Sequence, residues 1–206
     1  IRKAVARRQL RVKAPFAKAK VEVRVIEIHP RLPTTRMRVL KIGVSGGEVV
    51  PDKRRDILKI AVVDRHSGRG RVGTAFVRGF GLREGALASS VAHDHHNLIA
   101  VGATDEEVLF AFRLLHEMQG GLVAVKGETA LARLHLPIAG LLSDLPLRDV
   151  VGRLKELKVS ARSLGCPLPN PFMTLSFVSL PTIPECGLTD RGLVDVRAHR
   201  IVSLLV

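Results

Sequence analysis

The run Leu58-Lys59-Ile60-Ala61-Val62-Val63 is answered by Val72-Gly73-Thr74-Ala75-Phe76-Val77 across the turn-rich segment 64–71, and this pair decides the fold. Both runs are apolar, rich in β-branched residues and of strand length, and Gly68 and Gly70 lie between them. That combination predicts an antiparallel hairpin. The same segment, Gly68-Arg69-Gly70-Arg71-Val72-Gly73, also spells G-x-G-x-x-G. A dinucleotide site would need a helix to start there, with its N-terminus facing the pyrophosphate. Thr74-Ala75-Phe76-Val77 is β-prone instead, so the turn reading is preferred.

Working outward, Val21 to Ile28 (VEVRVIEI) alternates apolar and charged residues, the period of a half-buried strand, and Pro30 and Pro33 end it. Arg36 to Val44 reads as another strand, turned by Ser45-Gly46-Gly47. On the C-terminal side come two short apolar runs, 87–93 and 97–101, separated by Asp94-His95-His96. Thr104-Asp105-Glu106-Glu107 is a capping box, and the helix it opens runs to Gly120-Gly121. Leu122 to Val125 and Ala130 to His135 form a further hairpin. Pro146 opens a helix with Val150, Leu154, Leu157, Ala161 and Leu164 on one face and Gly165 as its cap. Phe172 to Leu180 is mainly apolar, and periodicity does not decide between helix and strand; Ile201 to Val206 closes as a strand. Hairpins outnumber βαβ crossovers. The fold expected is α+β, a mainly antiparallel sheet built from hairpins and flanked by three or four helices. At 206 residues the chain is too short for a complete (β/α)₈ barrel of about 250 residues.

The composition excludes wholesale disorder, with 46% hydrophobic and 25% charged residues. Net charge is +14, but unevenly spread: residues 1–100 hold 22 Lys/Arg against 8 Asp/Glu, and residues 101–206 hold 11 of each. Residues 1–20 alone carry Arg2, Lys3, Arg7, Arg8, Arg11, Lys13, Lys18 and Lys20 with no acid. The domain reading is a basic N-terminal arm over 1–20 and one α+β domain over 21–206, with 21–50 a candidate linking β segment. Seven Phe with no Trp or Tyr offer little platform for base stacking, so nucleic acid is not the expected partner. Two cysteines without a C-x-x-C pattern point to a reducing compartment and a cytoplasmic protein. No apolar run reaches the 18 or so residues of a membrane span. The first residue, Ile1, is not Met, and the chain reads as a piece of a longer protein.

His93-Asp94-His95-His96-Asn97 is the chemically richest stretch. Three imidazoles and a carboxylate there have the chemistry of a metal site or a general base. On a strand, however, 93 and 95 face opposite to 94 and 96, so one metal could not collect all four without a sharp turn. A polar turn with a hydrogen-bonded Asp and Asn is the structural alternative.

Ser89-Ser90-Val91-Ala92-His93-Asp94 followed by His96-Asn97 resembles the C-terminal region of bacterial and archaeal adenine deaminases. So do Phe76-Val77-Arg78-Gly79-Phe80-Gly81-Leu82, Leu136-Pro137-Ile138-Ala139-Gly140-Leu141, Pro171-Phe172-Met173-Thr174-Leu175-Ser176-Phe177 and Leu188-Thr189-Asp190-Arg191-Gly192-Leu193, in the same order. The resemblance is strong from about Gly47 to the C-terminus and weaker back to about Gln9. It implies membership of the amidohydrolase superfamily, whose adenine deaminases hydrolyse adenine to hypoxanthine and ammonia with a manganese or iron pair in a (β/α)₈ barrel. That barrel would lie upstream, as the partner of this domain, with adenine as the parent's substrate and no metal bound by this chain. A homo-oligomer is a further expectation. The family usually has serine where His95 stands, so His93/His95 is not its metal pair. His93, Asp94, His96 and Asn97 are the matching positions, expected to line or buttress the mouth of the substrate site, with no catalytic residue on this chain. The contrasting reading is a stand-alone interaction domain whose basic arm binds an acidic partner or nucleic acid.

Overall fold

The computed structural model describes residues 4–15 and 19–206. Its main sheet comprises β1 (Lys20–Ile28), β2 (Thr35–Ser45), β3 (Glu48–Val49), β4 (Ile57–Val63), β5 (Val72–Arg78), β6 (Ala86–Ser89), β7 (Leu98–Gly102), β8 (Gly121–Lys126) and β9 (Thr129–His135). The order across the sheet is β3-β2-β1-β5-β4-β7-β6-β8-β9. Every neighbouring pair is antiparallel except β1 and β5, which run parallel. The β4–β5 hairpin is therefore the middle of the sheet, and its glycine-containing loop is a hairpin connection.

All seven residues of β4 are buried, which explains a continuous apolar run in an antiparallel sheet: both faces are covered. One face carries Ile60, Val62, Leu87, Ile99, Val101 and Leu122, packed with Leu157 and Ala161 of α2 (Leu147–Ser163) and Phe172 and Leu175 of α3 (Pro171–Val178). The other face carries Ala61, Ala86, Ala88 and Ala100 against Val108, Ala111, Phe112 and Leu115 of α1 (Asp105–Glu117). The alanines let α1 approach closely; even at Gly102 an added Cβ would come within 2.7 Å of Val108 Cγ2. Thr104 caps α1, its Oγ1 accepting from Glu107 N at 3.2 Å. Glu107 itself is buried, and its Oε1 takes the N–H of Gly85 at 2.7 Å, tying the cap to the sheet.

Four features depart from expectation or complete it. The ambiguous run after Pro171 is helical. The run 87–93 leaves the sheet at Ser89, and 201–206 is strand only as far as Val202. A second sheet, β10 (Cys186–Thr189), β11 (Gly192–Asp195) and β12 (Arg200–Val202), packs on β5, where a Cβ at Gly73 would meet the Thr189 carbonyl oxygen at 1.9 Å. The described part of the basic segment is packed on the body: Leu10 is fully buried against the α1 layer, and Gln9 Nε2 donates to Gly70 O at 2.9 Å. Arg2, Lys3 and Lys18 lie outside the described residues. The segment 21–50 supplies β1 to β3, with Val23, Val25 and Ile26 in the core.

Candidate functional site

β6 and β7 are antiparallel neighbours, and the chain between them must reverse within eight residues, 90–97. His93 to His95 form that turn, closed by His96 N donating to Ala92 O at 2.7 Å. The five polar residues then diverge according to what other segments offer them.

His93 turns toward α3. Its backbone N–H donates to Ser176 Oγ at 3.1 Å, its Nδ1 is hydrogen-bonded to the same hydroxyl, and its ring stacks on Phe177 with centroids 4.7 Å apart. Asp94 is exposed at the tip. His95 is a staple: its Nδ1 accepts from Asn97 N at 3.0 Å and its Nε2 donates to Ser179 O at 3.0 Å. That pattern requires the neutral ring, and burial draws its pKa below the ordinary histidine value. Asn97 is buried, and its Oδ1 accepts from Arg65 N at 3.2 Å.

His96 has a left-handed backbone, φ +46°, uncommon for a residue with a Cβ. Two groups hold its carbonyl there: Arg65 Nε donates to it, and so does His66 Nε2 at 3.2 Å, which also donates to His95 O at 2.9 Å. The ring's Nδ1 is buried and has no hydrogen-bond partner among the described residues. Burial, with the charges of Arg65 and His93, holds the His96 pKa below its usual value, so the ring is neutral at pH 7. A neutral imidazole with one free buried nitrogen can give or take a single hydrogen bond from a group brought against it.

Arg65 also donates to Ala139 O at 2.9 Å, and Ser90 Oγ donates to Gly140 O at 2.5 Å while accepting from Gly121 N at 2.7 Å. The loop around Ala139 is thus pinned beside the histidine turn. Asp64 shapes the loop that carries Arg65 and His66, accepting from Ser67 N at 3.0 Å and His66 N at 3.1 Å. Burial opposes its charge, yet these bonds, the Ser67 hydroxyl and Arg71 together hold its carboxyl below the ordinary value.

The five residues at 93–97 occupy one turn, and each has its own partners. His93, Asp94, His96 and Asn97 do not converge on one point: Asn97 and His95 hold the turn, His93 packs on α3, and Asp94 is exposed. Arg65, His66, Ser176 and Ser179 were not singled out. The first two could have been found from β4–β7 pairing alone, since Val63 lies opposite Leu98 and so places 64–66 beside 96–97. The donor set does not fit a metal pair: His95 has both nitrogens engaged, His93 Nδ1 is bonded to Ser176, and among the described residues no three His, Cys, Asp or Glu side chains are grouped to hold an ion.

The family described as adenine deaminase C-terminal domain matches residues 33–200. An adenine deaminase of Desulforamulus reducens is 49% identical over 185 residues, covering 90% of this chain and 32% of that protein. One from Moorella thermoacetica is 46% identical over 195 residues, 95% of this chain and 33% of its own length. One from Methanothrix thermoacetophila is 50% identical over 184 residues, 89% and 32%. The chain spans about a third of the length of the curated relatives it matches. These similarities leave the contrasting reading, a stand-alone module with a nucleic-acid-binding or acid-binding arm, without support.

Proposed function

The chain belongs to the adenine deaminase C-terminal domain family, and from that premise we propose that it is the accessory domain of an adenine deaminase, packing on an upstream catalytic barrel and helping to close its purine site. The whole protein would convert adenine and water to hypoxanthine and ammonia. One observation carries the reading: the match runs through nearly all of this chain and through only a third of each relative, which leaves two-thirds of those proteins to hold a catalytic barrel. A manganese or iron pair would reside in that barrel, where a metal can activate water for attack on the ring carbon bearing the amino group.

In this reading His96 and Asp94 border the mouth of the substrate site, His93 lines the rim beneath them, and Asn97 fixes the turn that presents them. His96 is the strongest of these, because its buried Nδ1 lacks a partner among the described residues. A buried polar nitrogen without a partner is costly, and a group from the barrel or the purine would relieve that cost. The two free, buried cysteines support a reducing, cytoplasmic setting.

The test has two arms. The purified 206-residue chain, incubated with adenine and manganese, releases no ammonia; turnover by it alone would overturn the assignment. The Desulforamulus reducens enzyme with its C-terminal third replaced by this chain deaminates adenine, and His96→Ala in that fusion raises KM or lowers kcat by about tenfold, the worth of about one hydrogen bond. Unchanged kinetics would remove His96 from the site.

A further inference from the structure

A groove separates α2 from α3 on the face of the sheet opposite α1. It encloses about 250 Å³ and is lined by Val91 and Leu122 at its floor, Leu154 on α2, Phe172 and Met173 on α3, and His93 at one side. The apolar surface does not stop at its rim. Leu147 and Val151 precede Leu154 at helical spacing on the same stripe of α2, and they are 79% and 40% exposed. Met173 is 52% exposed. The loop 136–146, which leads into α2, presents Ile138 and Leu142, 51% and 62% exposed, on a short turn closed by Ile138 N donating to Leu142 O at 3.2 Å. The bonds from Arg65 to Ala139 O and from Ser90 to Gly140 O lock that loop to the histidine turn.

Leu147, Val151 and Met173 carry the apolar character of the groove onto exposed surface, the loop leading into α2 adds Ile138 and Leu142, and exposed apolar surface of that kind marks an interaction surface. We propose that this surface, the α2–α3 groove with the Ile138–Leu142 loop, is where the upstream catalytic domain seats, and that His93 places the groove in continuity with the purine site. The inference rests on the domain reading above and adds the face by which the domain docks. Two observations select that occupant over a second copy of the chain. The relatives carry about twice this chain's length again outside the matched region, enough to supply a covering domain. The groove is also continuous, through His93, with the turn that carries the unpartnered His96 nitrogen. A face serving only self-association would have no reason to end at that turn.

The experiment compares the 206-residue chain with the same chain fused in place of the C-terminal third of the Desulforamulus reducens enzyme. Amide exchange over 138–151 and 171–176 slows about tenfold or more in the fusion, while exchange over β12 is unchanged. The double substitution Leu147→Glu with Met173→Glu removes that protection and makes the junction susceptible to protease; Ile201→Glu, equally exposed on β12, does neither. The isolated chain sediments as a monomer at micromolar concentration. Equal exchange in chain and fusion overturns the proposal, as does a dimer of the isolated chain that L147E/M173E dissolves. The two readings fail separately: a fusion that deaminates adenine with an unprotected groove sinks the docking face alone, and an inert fusion with a protected groove sinks the activity alone.

Discussion

Replacing Asp105 by Ala tests how the α1 layer is held to the sheet. Lys59 sits in the central strand β4 with 2% of its side chain exposed, and its Nζ lies 2.7 Å from Asp105 Oδ1 and 2.9 Å from Oδ2. Asp105 is the first residue of α1, and its side chain is 11% exposed. The Phe76 ring centroid, 5.8 Å from Nζ, adds a weak second partner. Asp105→Ala strands an ammonium group in the interior, and breaking a buried pair in this way costs about 3–5 kcal/mol. For a domain of this size that is a fall in Tm of about 6–20 °C. Lys59→Met should cost less, about 1–2 kcal/mol, because the remaining carboxylate stays at a helix N-terminus with free N–H groups and some access to water. The double variant should then be more stable than Asp105→Ala alone by about 2 kcal/mol, since the stranded charge is gone. Urea unfolding of the four proteins at pH 7 reads all of these quantities. A cost below about 1 kcal/mol for Asp105→Ala, or a double variant no more stable than that single one, would refute the reasoning.

Three further outcomes are expected. Ser90→Ala removes a hydroxyl that serves both Gly121 N and Gly140 O, and should cost about 1–3 kcal/mol in chemical unfolding; a neutral result would show that the 136–146 loop is not anchored there. His95 and His96 both have pKa values lowered by burial in the folded chain, so the unfolded chain takes up protons first as pH falls. Their stabilisation is complete above the ordinary histidine value of about 6.5 and is lost below it. Tm should therefore drop between pH 7 and 5, and His95→Ser should flatten that slope; Asp190, His96 and His66 are the charges facing the ring. Burial pushes the thiols of Cys166 and Cys186 up to about 11 each, so neither should react with a disulfide reagent at pH 8 until the chain is unfolded; rapid labelling of the native protein would contradict their placement.

Much of the site was legible because its signals are local. The turn at 93–97 follows from two apolar runs with a polar break, and the α1 cap from Thr104 and Glu107 three residues apart. The roles of four of the five polar residues were not legible, since each is set by a partner 31 to 84 positions away: Ser176 for His93, Ser179 for His95, and Arg65 for His96 and Asn97. His95 shows this best. An imidazole in that cluster has the composition of a metal or general-base site as well as of a polar turn, and it is a staple because Ser179 O and Asn97 N meet its two nitrogens.

The same division holds for the whole molecule. Alternation, glycine turns and caps act within a few residues, so the amino-acid order alone determined the hairpins, the two long helices and the α+β class. Three things needed the folded chain. The parallel seam between β1 and β5 joins segments about fifty residues apart that carry no pairing code. The run from Phe172 is helical as far as Val178 because α3 covers a sheet face, a matter of surroundings rather than period. Lys59 was drawn inside a run of apolar neighbours because α1 brings Asp105 onto it, and no local pattern specifies a contact made across 46 residues.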